Sequence, residues 1–139
     1  MARRSGRTQP CSAGDARTRR SHARKFLEAA ELVALEEPDN PESANVAASL
    51  AVLAGIAACD AACCAALGRR PRGQDHHDAE ALVAEIAPGG ADAARQLRRV
   101  LNLKDSAQYG FIHLSGAELR GVLRQAQHLI DFAEQVLRR

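Results

Sequence analysis

The chain has 139 residues, enough for one domain with a buried core. Apolar residues make up 46%, mostly alanine and leucine, which favours helix because alanine loses no side-chain entropy on ordering; with only four aromatics, three Phe and one Tyr, base-stacking single-strand binders are disfavoured. The net charge of +2 hides a split: residues 1–20 carry six arginines against Asp15, a formal +5, so the other 119 residues sum to −3.

Taken in chain order, residues 1–20 lack any apolar period and predict a disordered Arg-rich tail. It reads as a solvated leader before it reads as a nucleic-acid arm. Residues 21–139 form the expected domain. A first helix is predicted from about Ser21 to Glu36, stopping before Glu37-Pro38, since a proline drives its predecessor out of helical geometry. Asn40 is then an N-cap with Pro41 at the first helical position, and the second helix runs to Leu67 and stops at Gly68. This helix is apolar on nearly every side apart from a narrow stripe of Asn45, Ser49 and Asp60, so it is expected at the centre. Ser49 and Asp60 interrupt the stretch 47–67, and a charge in a membrane span costs about 2.5–3.5 kcal/mol on insertion scales. The expectation is a buried helix, no membrane and a cytoplasmic location, with Cys11, Cys59, Cys63 and Cys64 reduced.

A basic loop with Arg69, Arg70 and Arg72 leads to Asp75, the cap of a short third helix from about His76 to Ile86. Pro88-Gly89-Gly90 ends it, and Asp92 opens a fourth helix bearing Leu97, Val100 and Leu101. The segment from Lys104 to Tyr109 is placed where that helix ends. Ser115 and Glu118 form a capping box for a last helix, from Leu119 to Leu137, with the cleanest apolar stripe in the chain. The plan is all-α: an antiparallel four-helix bundle with one additional short helix, free of strands.

Four groups of residues invite chemistry. Cys59, Cys63 and Cys64 share a helix interior, where cysteine is usually a small core residue rather than a zinc ligand. Asp75-His76-His77-Asp78 matches a helix start, with one histidine turned inward, better than a metal centre; no metal or cofactor is expected. The loop arginines are either solvated or on a phosphate. Asp60, on the central helix, must be paired or protonated, and its candidate partners are Lys104, Tyr109, His76 and the arginines of the 69–72 loop.

In four pieces, taken in order, the chain resembles the HEPN superfamily of small helical bundles over about residues 22–139. They are Gly55-Ile-Ala-Ala-Cys-Asp60-Ala-Ala-Cys-Cys, the turn Gly73-Gln-Asp75-His76, the stretch from Leu97 through Lys104-Asp105 to Tyr109, and Ser115-x-x-Glu-Leu. Catalytic members of that superfamily are metal-independent ribonucleases with an arginine, a polar residue and a downstream histidine, paired across a dimer. Here Lys104 stands at the arginine position, Asp105 at the polar one and Tyr109 where histidine would be. Tyrosine has a pKa of about 10 and is a poor proton-transfer group at neutral pH, and lysine does not fork two phosphate oxygens as arginine does. The resemblance therefore implies no catalytic residues. It implies a homodimer and a nucleotide- or RNA-phosphate-binding module, with Lys104, Asp105, Tyr109, Asp60 and His76 as site residues. Such a module fits a toxin–antitoxin or defence setting, with an antitoxin or nucleotidyltransferase partner. The alternatives are a scaffold bundle whose polar cluster is structural, and a residual metal-independent ribonuclease.

Overall fold

The computed structural model describes residues 7–72, 76–109 and 113–139. Five helices and two short strands follow in the order β1 (Thr8–Pro10), α1 (Ala13–Glu36), α2 (Pro41–Leu67), β2 (Arg69–Pro71), α3 (His76–Ala84), α4 (Gly90–Tyr109) and α5 (Gly116–Leu137). The architecture is mainly helical, with β1 and β2 paired antiparallel in the register Thr8–Pro71, Gln9–Arg70, Pro10–Arg69.

α2 is the hub. It packs against α1, α4 and α5, and thirteen of its residues are buried, from Ala47 to Cys64. Its start and stop follow local chemistry. The Asn40 side chain accepts the backbone N–H groups of Glu42 and Ser43, Pro41 supplies the preset φ of the first turn, and Gly68 closes the helix at φ 70° while donating to the Cys64 carbonyl. By length and composition α2 would also suit a membrane span, yet most of it is enclosed by the other helices. α5 lays its apolar stripe, Val122, Ala126, Leu129, Ile130, Ala133 and Val136, against the hub. The Ser115/Glu118 capping box sets its first turn. Gly55 marks a close approach of α4 and α5 to the hub: a Cβ there would lie 3.2 Å from Leu129 Cδ1 and 3.3 Å from Val100 Cγ1.

The N-terminal expectation needs correction. Residues 1–6 lie outside the described residues, but residues 7–20 are structured. Chain order begins at Thr8, and α1 starts at Ala13, eight residues before Ser21. Two local causes were legible. Ser12 accepts the Asp15 N–H at 3.0 Å and Asp15 Oδ2 accepts the Ser12 N–H at 2.8 Å, a capping box written within the Arg-rich stretch. A third cause is tertiary: Cys11 is bonded to Cys64 at the end of α2, with the two Cα atoms 5.3 Å apart. The expectation of four reduced cysteines is thereby corrected, and so is the expectation of no strands. The disulfide, together with donation from Cys11 N to Gly68 O, holds β1 alongside β2.

A second correction concerns Lys104 to Tyr109. α4 runs without a break from Gly90 to Tyr109, so the segment is helical rather than the connection after a helix. α3 is shorter than the expected span, ending at Ala84, and its proposed cap Asp75 lies outside the described residues.

Candidate functional site

Asp60 sits where α1, α2 and β2 converge. Its side chain is 13% exposed, and Oδ2 accepts from Arg19 Nη2 at 3.0 Å. The partner is thus an arginine from the segment expected to be disordered. Arg70, one of the loop arginines proposed as partners, also pulls on Asp60 electrostatically from β2. Burial outweighs both and raises the Asp60 carboxyl above its ordinary 3.8, because a charge loses water there faster than the arginines replace it.

Beside Asp60 lies a cavity of about 170 Å³ lined by Ile56, Cys59, Asp60 and Cys63 of α2, Ala79 and Val83 of α3, and Leu97 and Leu101 of α4, with Arg70, Pro71 and Arg72 completing the wall. The lining divides by chemistry. Aliphatic side chains from three helices make an apolar interior, one carboxylate stands on the α2 side, and two guanidinium-bearing residues come from β2 and the position directly after it. Arg72 is exposed and Arg70 half-buried. Arg70 Nη2 reaches Gln9 Oε1 at 3.2 Å across the ribbon, so β1 helps orient this side chain. Arg69 turns the other way, to Glu85 at 3.1 Å.

Cys59 and Cys63 are free and buried in the cavity wall. Burial pushes the Cys63 thiol up to about 12, with Asp60 adding to the rise, and pushes Cys59 well above its usual value. Both are neutral thiols at physiological pH and poor nucleophiles. They act as small core side chains, as the helix-interior position implied. Among the described residues no group of three or more His, Cys, Asp or Glu is placed to share a metal.

Of the residues the sequence singled out, Asp60 lines the cavity. Lys104 is half-buried on α4, seven residues after Leu97 and three after Leu101, the two α4 residues in the cavity wall; that spacing puts it on their face of the helix, one turn further along. Asp105 and Tyr109 lie in the same helical run, but their side chains, like that of His76 at the start of α3, lie outside the described residues. Sequence reasoning missed Arg19. The signal was present: Asp60 needed a cation, and the Ser12–Asp15 capping box made residues 13–20 helical, which sets Arg19 on the first helix. The polar stripe of α2 has a second use at Asn45, whose Oδ1 accepts the Leu114 N–H at 3.2 Å and so ties the approach to α5 onto the hub.

No protein-family model matches the chain, and no curated protein matches it.

Proposed function

We propose that this domain is a non-catalytic, HEPN-like four-helix-bundle module that binds a nucleotide or the phosphate of RNA at the cavity beside Asp60. The observation that carries the reading is the combination in one cavity of an aliphatic interior, the half-buried Asp60 carboxylate, Arg70 of β2 and Arg72 directly after it. A planar base suits the apolar interior, its amino edge can donate to Asp60, and its phosphate would lie toward Arg70, Arg72 and the Lys104 turn of α4. The volume of about 170 Å³ is below the roughly 300–1,000 Å³ of drug-sized sites, which favours a single base over a larger ligand. Asp105, Tyr109 and His76 belong to this proposal by their sequence positions.

Catalysis is not part of it. Tyr109 in place of histidine leaves that position without a group titrating near neutrality, and the cavity thiols are held protonated. A homodimer and an antitoxin or nucleotidyltransferase partner remain part of the proposal, as does a cytoplasmic setting.

The test is fluorescence polarisation with a labelled single-stranded RNA and with AMP as competitor, run alongside a metal-free cleavage assay. Arg72→Ala and Lys104→Ala should each weaken binding about tenfold or more without altering the helical circular dichroism, and added salt should weaken the wild type. Binding untouched by either variant, or none at all, would remove the reading in favour of a scaffold. RNA cleavage abolished by Lys104→Ala would replace it with a ribonuclease.

A further inference from the structure

A separate cavity of about 260 Å³ lies where the first turns of α1 meet the ends of α2 and α5. Arg17 and Arg20 of α1 line it together with Arg139, and no carboxylate side chain does. Arg17 and Arg20 are three positions apart and so neighbour each other on one face of α1. Arg139 is fixed from outside the cavity: its Nη1 and Nη2 donate to the carbonyls of Ala87 and Pro88 at 3.3 and 2.9 Å. The rest of the wall is small or apolar, with Ala16 and Ala65 leaving room and Val136 and Leu137 supplying the aliphatic surface.

Three like charges around one cavity repel one another unless something balances them. The other cations of α1 have acidic partners: Arg19 pairs with Asp60, Arg24 with Glu134 and Lys25 with Glu28. Among the described residues the side chains of Arg17 and Arg20 have no polar partner. Arg20 Nε is moreover shut off from solvent with nothing accepting its N–H, a state that costs free energy and is rare in folded chains. Asp15, the nearest acid in sequence, is taken up by the Ser12 N–H. Nor do Arg17 and Arg20 cap the helix ends beside them. The Cys64 carbonyl accepts from Gly68 N, and the Glu134, Gln135 and Val136 carbonyls accept from the N–H groups of Arg138 and Arg139.

We propose that this cavity binds a small phosphomonoester, its phosphate held by Arg17, Arg20 and Arg139 and its short organic group lying on Val136 and Leu137. A dianion balances three guanidinium groups better than a single carboxylate does, and the planar arginine fork offers paired N–H bonds to two phosphate oxygens. An oxyanion on the Nε–Nη edge of Arg20 supplies the partner that this N–H lacks. The positive end of α1 adds to the attraction, since its first residue, Ala13, also lines the cavity. The volume is below the roughly 300–1,000 Å³ of drug-sized sites, which sets the ligand as a small one. None of these residues lines the cavity beside Asp60, so the two sites are distinct.

The experiment titrates the full chain with phenyl phosphate, inorganic phosphate and benzoate, followed by calorimetry. Phenyl phosphate should bind saturably and one-to-one, at least fivefold tighter than inorganic phosphate and at least tenfold tighter than benzoate, and salt should weaken it. Arg20→Gln should weaken it at least tenfold, and Arg17→Gln, at an exposed position that leaves folding intact, at least threefold. Arg124→Gln removes the same charge from an exposed position of α5 outside the cavity and should change binding less than twofold. Phenyl phosphate should also raise the wild-type Tm, and Arg20→Gln should lose that rise while its circular dichroism stays native. Absent saturation, benzoate binding as well as phenyl phosphate, or Arg124→Gln weakening it as much as Arg20→Gln would overturn the proposal. So would inorganic phosphate binding as tightly as phenyl phosphate, or single-stranded RNA binding at these arginines when neither small phosphate does, which would make the patch a nucleic-acid surface.

Discussion

Asp60 shows how much one residue can be constrained by its surroundings. The sequence required it to be paired or protonated, and the structure pairs it: Arg19 binds it at 3.0 Å, while burial holds its carboxyl above 3.8. A raised folded pKa means that the folded chain keeps this proton more firmly than the unfolded chain does. The stabilisation from Asp60 is therefore fully present below pH 3.8 and is lost as pH rises from there through the folded value. Asp60→Asn removes that titration, so the wild type should lose stability relative to the variant as pH is raised from 3 toward neutrality. Urea midpoints of both proteins across that range check it; a wild type that gains on the variant instead would contradict the assigned direction. The neighbouring thiols need no such test of chemistry, because neutral Cys59 and Cys63 only fill space.

At the scale of elements, the N-terminal ribbon is the part whose order depends on a cross-link. Three ladder positions, one Cys11 N–H bond to Gly68 and the capping box at Ser12 are weak individually. The Cys11–Cys64 bond closes a separation of 53 residues, and restricting a loop of that length in the unfolded chain contributes about 4 kcal/mol in the chain-entropy account. Cys11→Ser should accordingly lower stability by about 2–4 kcal/mol, read as an earlier urea midpoint. Proteolysis should show residues 7–12 cleaved first in the variant, while α2 and α5 keep their helicity. Thiol titration of the denatured, unreduced wild type should count two free groups, and four after reduction; a count of four at the outset would mean that the ribbon is held without the bond. The cytoplasmic proposal is the one most exposed to this measurement, because cytosolic thiols are normally kept reduced.

For the molecule as a whole, the arrangement turns on α2 being small along one side. Gly55 admits Leu129 from α5 and Val100 from α4 so close that a Cβ there would meet them at 3.2 and 3.3 Å, tighter than ordinary contact. Gly55→Leu would drive a side chain into that junction, an overpacking cost of about 1–3 kcal/mol set against a helix-propensity gain of up to ~1 kcal/mol. A lowered Tm is the expected balance. Gly121 on α5 is the control, since a Cβ there meets nothing within 4 Å. Gly121→Ala should raise stability by up to ~1 kcal/mol, and thermal melts of the two variants moving in the same direction would refute the packing argument.

The sequence by itself determined what depends on neighbours along the chain. Asn40-Pro41, Gly68 and the Ser115–Glu118 box set helix ends through bonds spanning a few residues, and the stripe of α5 and the uniform greasiness of α2 say which faces must be buried. The requirement that Asp60 find a cation was legible for the same reason, as a property of the residue and its helix. Only the tertiary structure decided which cation. Arg19 is 41 positions away and was assigned to a tail, because the arginine-rich composition of residues 1–20 masked a capping box that a composition argument does not see. The Cys11–Cys64 bond, the β1–β2 pairing and the cavity between α2, α3, α4 and β2 are likewise contacts between distant segments. Their closure is governed by how the helices pack, and no local periodicity encodes it.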